Sequence, residues 1–334
     1  MDWTAATTRT SEHRQEYDGA AFSVVGSGLD PIAQDQAGDD EAYDTFCKLR
    51  WPETDGSPRC PRCECRKAYQ LSTRRKFKYA ACHHPFSVTS GTIFACRKLS
   101  FVDLLAAICL FVNAAKGASA LQLSRDLDVQ YKTAFVLAHK LREALAAETT
   151  ELRLSNAVEV DGAYFGGHVR QANLKADRVD RRLLKNRTDK RRVVVALRER
   201  SGRTLARSFR LESDGIAFAR ERIVEGSVVA ADDLRHWDVL ASSFTMERID
   251  HSEAYSLDGA HTNLAESYFA RLRRMIRGQH HRVEAAKLDA YAAHAGWLED
   301  HRRQSNGELA DRLMRSVLGA PVSGTWSGYW QRAA

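Results

Sequence analysis

The stretch NAVEVDGAYFGG, residues 156–167, decides the fold of the larger part of the chain, because it is typical of a buried strand that runs into a glycine turn. Two further stretches, RRVVVALRER (191–200) and RTLARSFRL (203–211), predict a β-hairpin. SVVAAD (227–232) is typical of a short buried strand. The predicted order is three strands, a helix, a strand, a helix, a strand and then helices. From about residue 151 the sequence therefore predicts an α/β domain.

Three acidic residues lie at or near the ends of predicted elements of this α/β domain. Asp161 is predicted at the end of the first strand, Asp232 at the end of the fourth, and Glu266 in the first turns of the helix after the last strand. Functional groups of open α/β sheets gather at strand ends, so the three carboxylates can converge. Carboxylates suit Mg²⁺ or Mn²⁺, and a pair of such ions can promote phosphodiester cleavage. For any one of these residues, a turn or helix-capping role is the ordinary alternative.

Two neighbouring residues compete for these roles. Asp233 follows Asp232 directly, but the buried run VVAAD favours Asp232 as the strand residue and Asp233 as the start of the next helix. Asn263 lies three residues before Glu266 and shares its helix face. Asn263 is therefore a candidate fourth ligand, a helix cap or an alternative third catalytic residue.

The stretch RLRRMIRGQHHRV, residues 271–283, holds five arginines, two histidines and no acid. Arg273 follows Glu266 by seven residues, two helical turns along the same face, where it can contact a phosphate beside the metal site. The histidines can bind phosphate, act as acid or base, or cap the helix end. The candidate DNA-contacting residues are Arg271, Arg274, Arg277, His280 and His281.

Charge supports a polyanionic partner. The 334 residues include 50 lysines and arginines against 43 acids, a formal charge of +7. Residues 168–192 alone hold ten basic residues and three aspartates. Such a concentrated basic segment favours nucleic acid as partner, with a solvated loop as the alternative.

The N-terminal part is organised differently. Its cysteines cluster in turn-rich sequence, and Cys60-Pro-Arg-Cys63 has the spacing of a zinc knuckle. Farther on, two predicted helices separated by a break at 128–130 form a helix-turn-helix candidate. The predicted units are a flexible leader (1–38), a zinc-ribbon-like domain (39–98), a helical DNA-binding region (99–150), the α/β domain (151–305) and a C-terminal tail (306–334).

Taken together, these stretches resemble DDE-type transposases of bacterial insertion sequences, in the ISXO-like group with an N-terminal zinc ribbon. The matching stretches are RWPETDGSPRCPRC, FSVTSGTIF, VEVDGAYFGG, KRRVVVALRERSG, HTNLAESYFARLRRMIRGQHHRV and SGYWQR. The resemblance implies an RNase H-like catalytic core in the α/β domain. It also implies that Asp161, Asp232 and Glu266 are the acidic triad, followed by Arg273 where many relatives carry lysine. Since the third position varies in this group, with asparagine reported there, Asn263 stays an alternative.

The ribbon departs from the family pattern of two knuckles. Cys82 is present in the second knuckle, but Tyr79 stands where its other cysteine belongs, and tyrosine is not a usual zinc ligand. A structural Zn²⁺ on Cys60, Cys63 and Cys82 is the expectation. The alternatives for its fourth ligand are Cys65, His83 and His84.

The resemblance implies metal-dependent cleavage at the ends of the element, then attack of the freed 3′-hydroxyl on target DNA. The implied partners are terminal repeats, target DNA and further copies of the chain on that DNA. A nuclease on the same core and a catalytically inert DNA-binding regulator are the alternatives. The longest apolar run, Leu104–Val112, is too short for a membrane span, and the N-terminus lacks a secretory pattern. We therefore expect a cytoplasmic, nucleoid-associated bacterial protein.

Overall fold

Helix α1 (Gln36–Arg50) opens the described part of the chain, so the last three residues of the predicted leader are helical. Its Phe46 is fully buried and packs edge-on against Phe101. The computed structural model describes residues 36–60, 67–71, 75–166, 172–179, 191–200, 202–232, 235–249 and 261–332.

A small antiparallel sheet follows α1. Its strands are, in order, β1 (Ala68–Leu71), β2 (Lys76–Tyr79) and β3 (Pro85–Phe86). Phe77 and Phe86 each meet the Trp51 ring nearly at right angles. These aromatic contacts pack the short sheet against the residue that follows α1.

The helices predicted between residues 99 and 150 are present. They are α2 (Phe101–Asn113), α3 (Ala120–Asp126) and α4 (Tyr131–Ala147). A capping box formed by Ser100 and Asp103 fixes the start of α2. The turn between α3 and α4 falls at the predicted break.

The larger sheet has the order β6-β5-β4-β7-β8. Its strands are β4 (Ala157–Gly166), β5 (Arg191–Glu199), β6 (Thr204–Phe209), β7 (Val228–Asp232) and β8 (Thr245–Ile249). The first three strands are antiparallel neighbours, whereas β7 and β8 run parallel to β4. The predicted hairpin is confirmed. The prediction that the first strand ends at Asp161 is wrong, because β4 continues to Gly166 while paired with β5.

Helices cover both faces of this sheet. One face carries α5 (Gly215–Arg222) and a 3-10 helix (Arg235–Ser242), whose Trp237 is fully buried against Val160 and its neighbours. The other face carries α6 (Asn263–Met275) and α7 (Leu288–Asp300). In the described residues a π-helical turn, Ile276–His280, follows α6.

The predicted C-terminal tail is also structured. It contains α8 (Asn306–Gly319), which starts with a capping box and packs against α1, α2 and α4, and a short α9 (Tyr329–Arg332). One hydrophobic cluster runs from the small sheet through these helices to the α6 face of the larger sheet. None of the helices in the described ranges is long and apolar enough to cross a membrane.

Three histidines surround the buried Arg142 where α4, the π-helical turn and α7 meet. The Arg142 guanidinium lies 4.4 Å from the Tyr291 ring centroid, and the rings of His139 and His280 both contact Tyr291. His294 stacks on Phe111, 4.4 Å between centroids. Burial, aided by the Arg142 charge, lowers the pKa of His139 to about 4, that of His280 to about 3 and that of His294 well below its usual value.

We expect this histidine cluster to make the fold acid-sensitive. Each folded pKa lies below the unfolded value near 6.5, so the unfolded state binds more protons as the pH falls from about 6.5 towards 4. His139 and His280 then each cost about 2 kcal/mol of unfolding free energy between pH 7 and pH 5, and His294 acts in the same direction. Denaturant unfolding followed at both pH values measures the loss, and His280→Asn should reduce it. An unfolding free energy that stays constant from pH 7 to pH 5 would contradict this prediction.

Candidate functional site

Asp161 and Asp232 lie side by side where β7 ends. The last paired residues of β4 and β7 are Val160 and Ala231, so the two aspartates are the next pair in register. Adjacent strands are about 4.8 Å apart, and residues paired in this way point to the same face. That face is the one covered by α6. β7 stops here while β4 continues, so no described strand pairs with this side of β4 beyond Asp161, and we call this part of β4 its open edge.

Helix α6 runs over β4 past Asp161. At one end, Leu264 N and Ala265 N donate hydrogen bonds of 2.8 and 3.0 Å to Glu159 Oε2. At the other end, the Phe269 ring packs on the Phe165 ring, 6.3 Å between centroids. Glu159, Asp161 and Phe165 share one face of β4, since side chains alternate along a strand. Glu159 is fully buried and acts as the N-terminal cap of α6.

The contacts of α6 show which way its polar residues face. Ser267 and Arg271 point to α7, where both bind Glu299, and α7 packs over β6. At about 100° per residue, Glu266 and Arg273 share one side of α6, turned away from α7. Asn263 is exposed, opposite the residues of α6 that pack on the sheet. Glu266, the other candidate for the third catalytic position, is exposed as well.

The structure adds one carboxylate that the sequence analysis missed. Glu212, in a 3-10 turn before α5, approaches from the opposite face of the sheet and packs over Gly162. Burial, and then the charges of Asp161 and Asp232, raise the pKa of Glu212 to about 7. The sequence feature that could have indicated Glu212 is an acidic residue in the loop directly after a predicted strand. Its proximity to the aspartates depends on how that loop folds over Gly162.

The side chains of the site are of the type that binds a divalent cation. In the described residues they are not arranged as a complete coordination shell. Asp161, Asp232 and Glu212 offer hard carboxylate oxygens, the ligands that Mg²⁺ and Mn²⁺ prefer. Asp161 Oδ1 accepts a 2.7 Å hydrogen bond from Gly162 N, which helps to orient it. Within the described ranges, no three histidine, cysteine or acidic side chains already stand in position to hold one ion. Asp233, the predicted alternative to Asp232, lies outside those ranges.

The zinc-ribbon candidates are partly described. Cys60 Sγ and Cys82 Sγ are 3.6 Å apart, far longer than a disulfide bond and close to the ~3.8 Å expected for two tetrahedral ligands 2.3 Å from zinc. Tyr79 is fully buried, its ring stacked on Phe86 at 4.4 Å, so it belongs to the core of the small sheet. His83 and His84 are exposed. Cys63 and Cys65 lie outside the described residues.

The predicted DNA-contacting residues after Glu266 divide into two groups. Arg273, Arg274, Arg277 and His281 are exposed. Arg271 is bound to the buried Glu299, with 2.7 Å between Nε and Oε2. His280 turns inward against Tyr291, and its Nε2 is buried. The prediction of a phosphate contact for His280 is corrected by this orientation, since a buried neutral imidazole is a poor phosphate ligand.

Two parts of the chain match known protein families. Residues 153–300 match the model of the ISXO2-like transposase domain. Residues 37–85 match that of the transposase zinc-ribbon domain. A search of curated proteins gave no significant match. The first match spans β4 to α7 and includes the two aspartates. The second includes Cys60 and Cys82.

Proposed function

Because the chain belongs to the ISXO2-like transposases and carries their zinc-ribbon domain, we propose that it cleaves DNA at insertion-sequence ends and joins them to target DNA. The observation that carries this proposal is the paired position of Asp161 and Asp232 at the open edge of β4. The strand order β6-β5-β4-β7-β8, with β7 and β8 parallel to β4, supports an RNase H-like core.

In this proposal Asp161, Asp232 and Glu266 hold Mg²⁺ or Mn²⁺. When bound, such ions activate the oxygen that attacks a phosphodiester and stabilise the oxygen that leaves. The protein contributes carboxylates fixed on two strands and one helix, so their positions are set before DNA arrives. Arg273, on the same side of α6 as Glu266, holds a phosphate oxygen of the DNA next to the cleaved bond.

We also propose that Cys60 and Cys82 share a structural zinc ion, with Cys63 as third ligand. The 3.6 Å between the two sulfurs supports this assignment. Zinc sites of this kind contribute folding free energy directly. Tyr79 stands where the family pattern has a cysteine, so this position contributes packing in place of a zinc ligand. Its ring stacks on Phe86 and stabilises the ribbon.

DNA recognition is assigned to α3 and α4. Eight of the 17 residues of α4 are buried, whereas Tyr131 and Lys132 in its first turn are exposed. Recognition helices contact base edges with their N-terminal residues, so this is the end expected to enter the major groove. Two element ends have to be held together for joining, and we therefore propose that several copies assemble on DNA.

The test is a cleavage and joining assay on labelled DNA that carries the ends flanking this gene. With Mg²⁺ or Mn²⁺, we expect nicks at the end boundary, followed by products joined to target DNA. Cleavage without joining, and equal cleavage of unrelated DNA, would identify a nuclease instead. Specific binding without any scission would identify an inert regulator.

A further inference from the structure

The carboxylate of Glu212 occupies a place that ordinary packing does not explain. It lies in the turn between β6 and α5, on the opposite face of the sheet from α6. Resting on the function proposed above, we propose that Glu212 is a further metal-binding residue of this site, which reaches the same divalent cation as Asp161 and Asp232 through the open edge of β4.

Gly162 provides the space for this side chain. A Cβ at residue 162 would lie only 2.6 Å from Glu212 Cδ and 2.9 Å from its Cγ. Only glycine therefore lets the Glu212 carboxylate rest on β4 next to Asp161. The side chain is packed closely enough to leave 11% of its surface exposed.

The Glu212 carboxylate lacks the partners that a buried acid normally has. Its Oε1 is buried and accepts no hydrogen bond from the described residues. The nearest cationic candidate, His236 Nε2, is 3.8 Å away, beyond hydrogen-bond distance, and is itself without a hydrogen bond among those residues. Burying a carboxylate beside two others costs free energy unless a cation compensates for their charge. A divalent metal ion would bind the buried Oε1 and would also reduce the repulsion between the carboxylates.

Mn²⁺ binding to the full-length chain without DNA tests the assignment. Calorimetric or paramagnetic titration should show that Glu212→Gln weakens Mn²⁺ binding at least about tenfold, as expected for loss of one ligand. Glu221→Gln is the matched control, since this glutamate on α5 is 60% exposed and should leave Mn²⁺ affinity unchanged. Glu212→Asp should restore part of the affinity.

Two further measurements separate a metal ligand from a structural residue. Glu212→Gln should keep or raise the Tm of the metal-free protein, because it removes like-charge repulsion, and should diminish the Tm increase on adding Mn²⁺. A lower metal-free Tm with unchanged Mn²⁺ affinity would overturn the proposal. Gly162→Ala displaces the carboxylate without removing its charge and should also weaken Mn²⁺ binding.

The same titration distinguishes this proposal from the function on which it rests. If Asp161→Ala weakens Mn²⁺ binding and Glu212→Gln does not, the assignment of Glu212 is wrong and the transposase site stands. If neither variant changes Mn²⁺ binding, both the assignment and the proposed catalytic metal site are wrong.

Discussion

Asp161→Ala is expected to reduce strand cleavage by about 1,000-fold or more while leaving DNA binding largely unchanged. Asp161 and Asp232 follow the last paired residues of two adjacent strands, which fix the positions of both carboxylates. Removing Asp161 therefore removes one of the two strand-held ligands of the metal ion. Most of the basic residues proposed to bind the DNA backbone lie elsewhere on the chain. Labelled element ends, Mg²⁺ and gel separation of products measure cleavage, and fluorescence anisotropy measures binding.

Asp311→Ala is the matched control for Asp161→Ala. Asp311 is a half-exposed residue of α8 in a surface ion pair with Arg315, and loss of such a pair costs less than about 1 kcal/mol. We expect the Asp311→Ala protein to cleave DNA at the wild-type rate. If the Asp161 variant still cuts at the element boundary at the wild-type rate, the proposed mechanism is wrong.

Glu159→Ala should have the second largest effect, acting on both stability and cleavage. The buried carboxylate caps α6 through Leu264 N and Ala265 N, and it also lies 2.9 Å from His261 Nδ1. Its removal leaves Leu264 N and Ala265 N without their acceptor and His261 without its acidic partner, at a cost of about 3 kcal/mol of unfolding free energy. Glu266 follows directly in α6, so a shifted helix start should also lower cleavage at least about tenfold.

Denaturant unfolding and the cleavage assay measure the two effects of Glu159→Ala. Glu159→Gln keeps one acceptor oxygen and should be milder in both assays. Glu284→Ala is the control, because its ion pair with Lys287 is on the surface and the Glu284 side chain is 69% exposed. A Glu159→Ala protein as stable and as active as the wild type would show that α6 does not depend on this cap.

The strands and their order could be predicted because apolar periodicity is a local property. Buried runs such as VVVAL and VVAAD are typical of strands wherever they occur, and Asp232 is visible at the end of the second run. Helix α8 could also have been predicted, since Ser305 and Glu308 have capping-box spacing. Its place in the core, by contrast, depends on contacts with α1, α2 and α4, which are distant in sequence.

The site itself was only partly predictable, for a related reason. The direction in which α6 turns Asn263 and Glu266 depends on its packing against α7, through contacts such as the salt bridge between Arg271 and Glu299. Glu212 approaches the aspartates because a loop folds over Gly162 from the other face of the sheet. His280 turns inward at the end of a π-helical turn that follows α6. These are tertiary choices, and no spacing in the sequence encodes them directly.

The hydrophobic cluster that joins the small sheet, α4, α8 and the α6 face of the larger sheet has a mechanical consequence. Within the described ranges, α4 and the α6 face of the larger sheet are held by this one shared interior. If α4 reads bases and the aspartates mark the bond that is cut, as proposed, the protein itself fixes the distance along the DNA between these two points. Inserting or deleting a few base pairs between these points should shift the cut relative to the element boundary, because the protein cannot stretch to follow it.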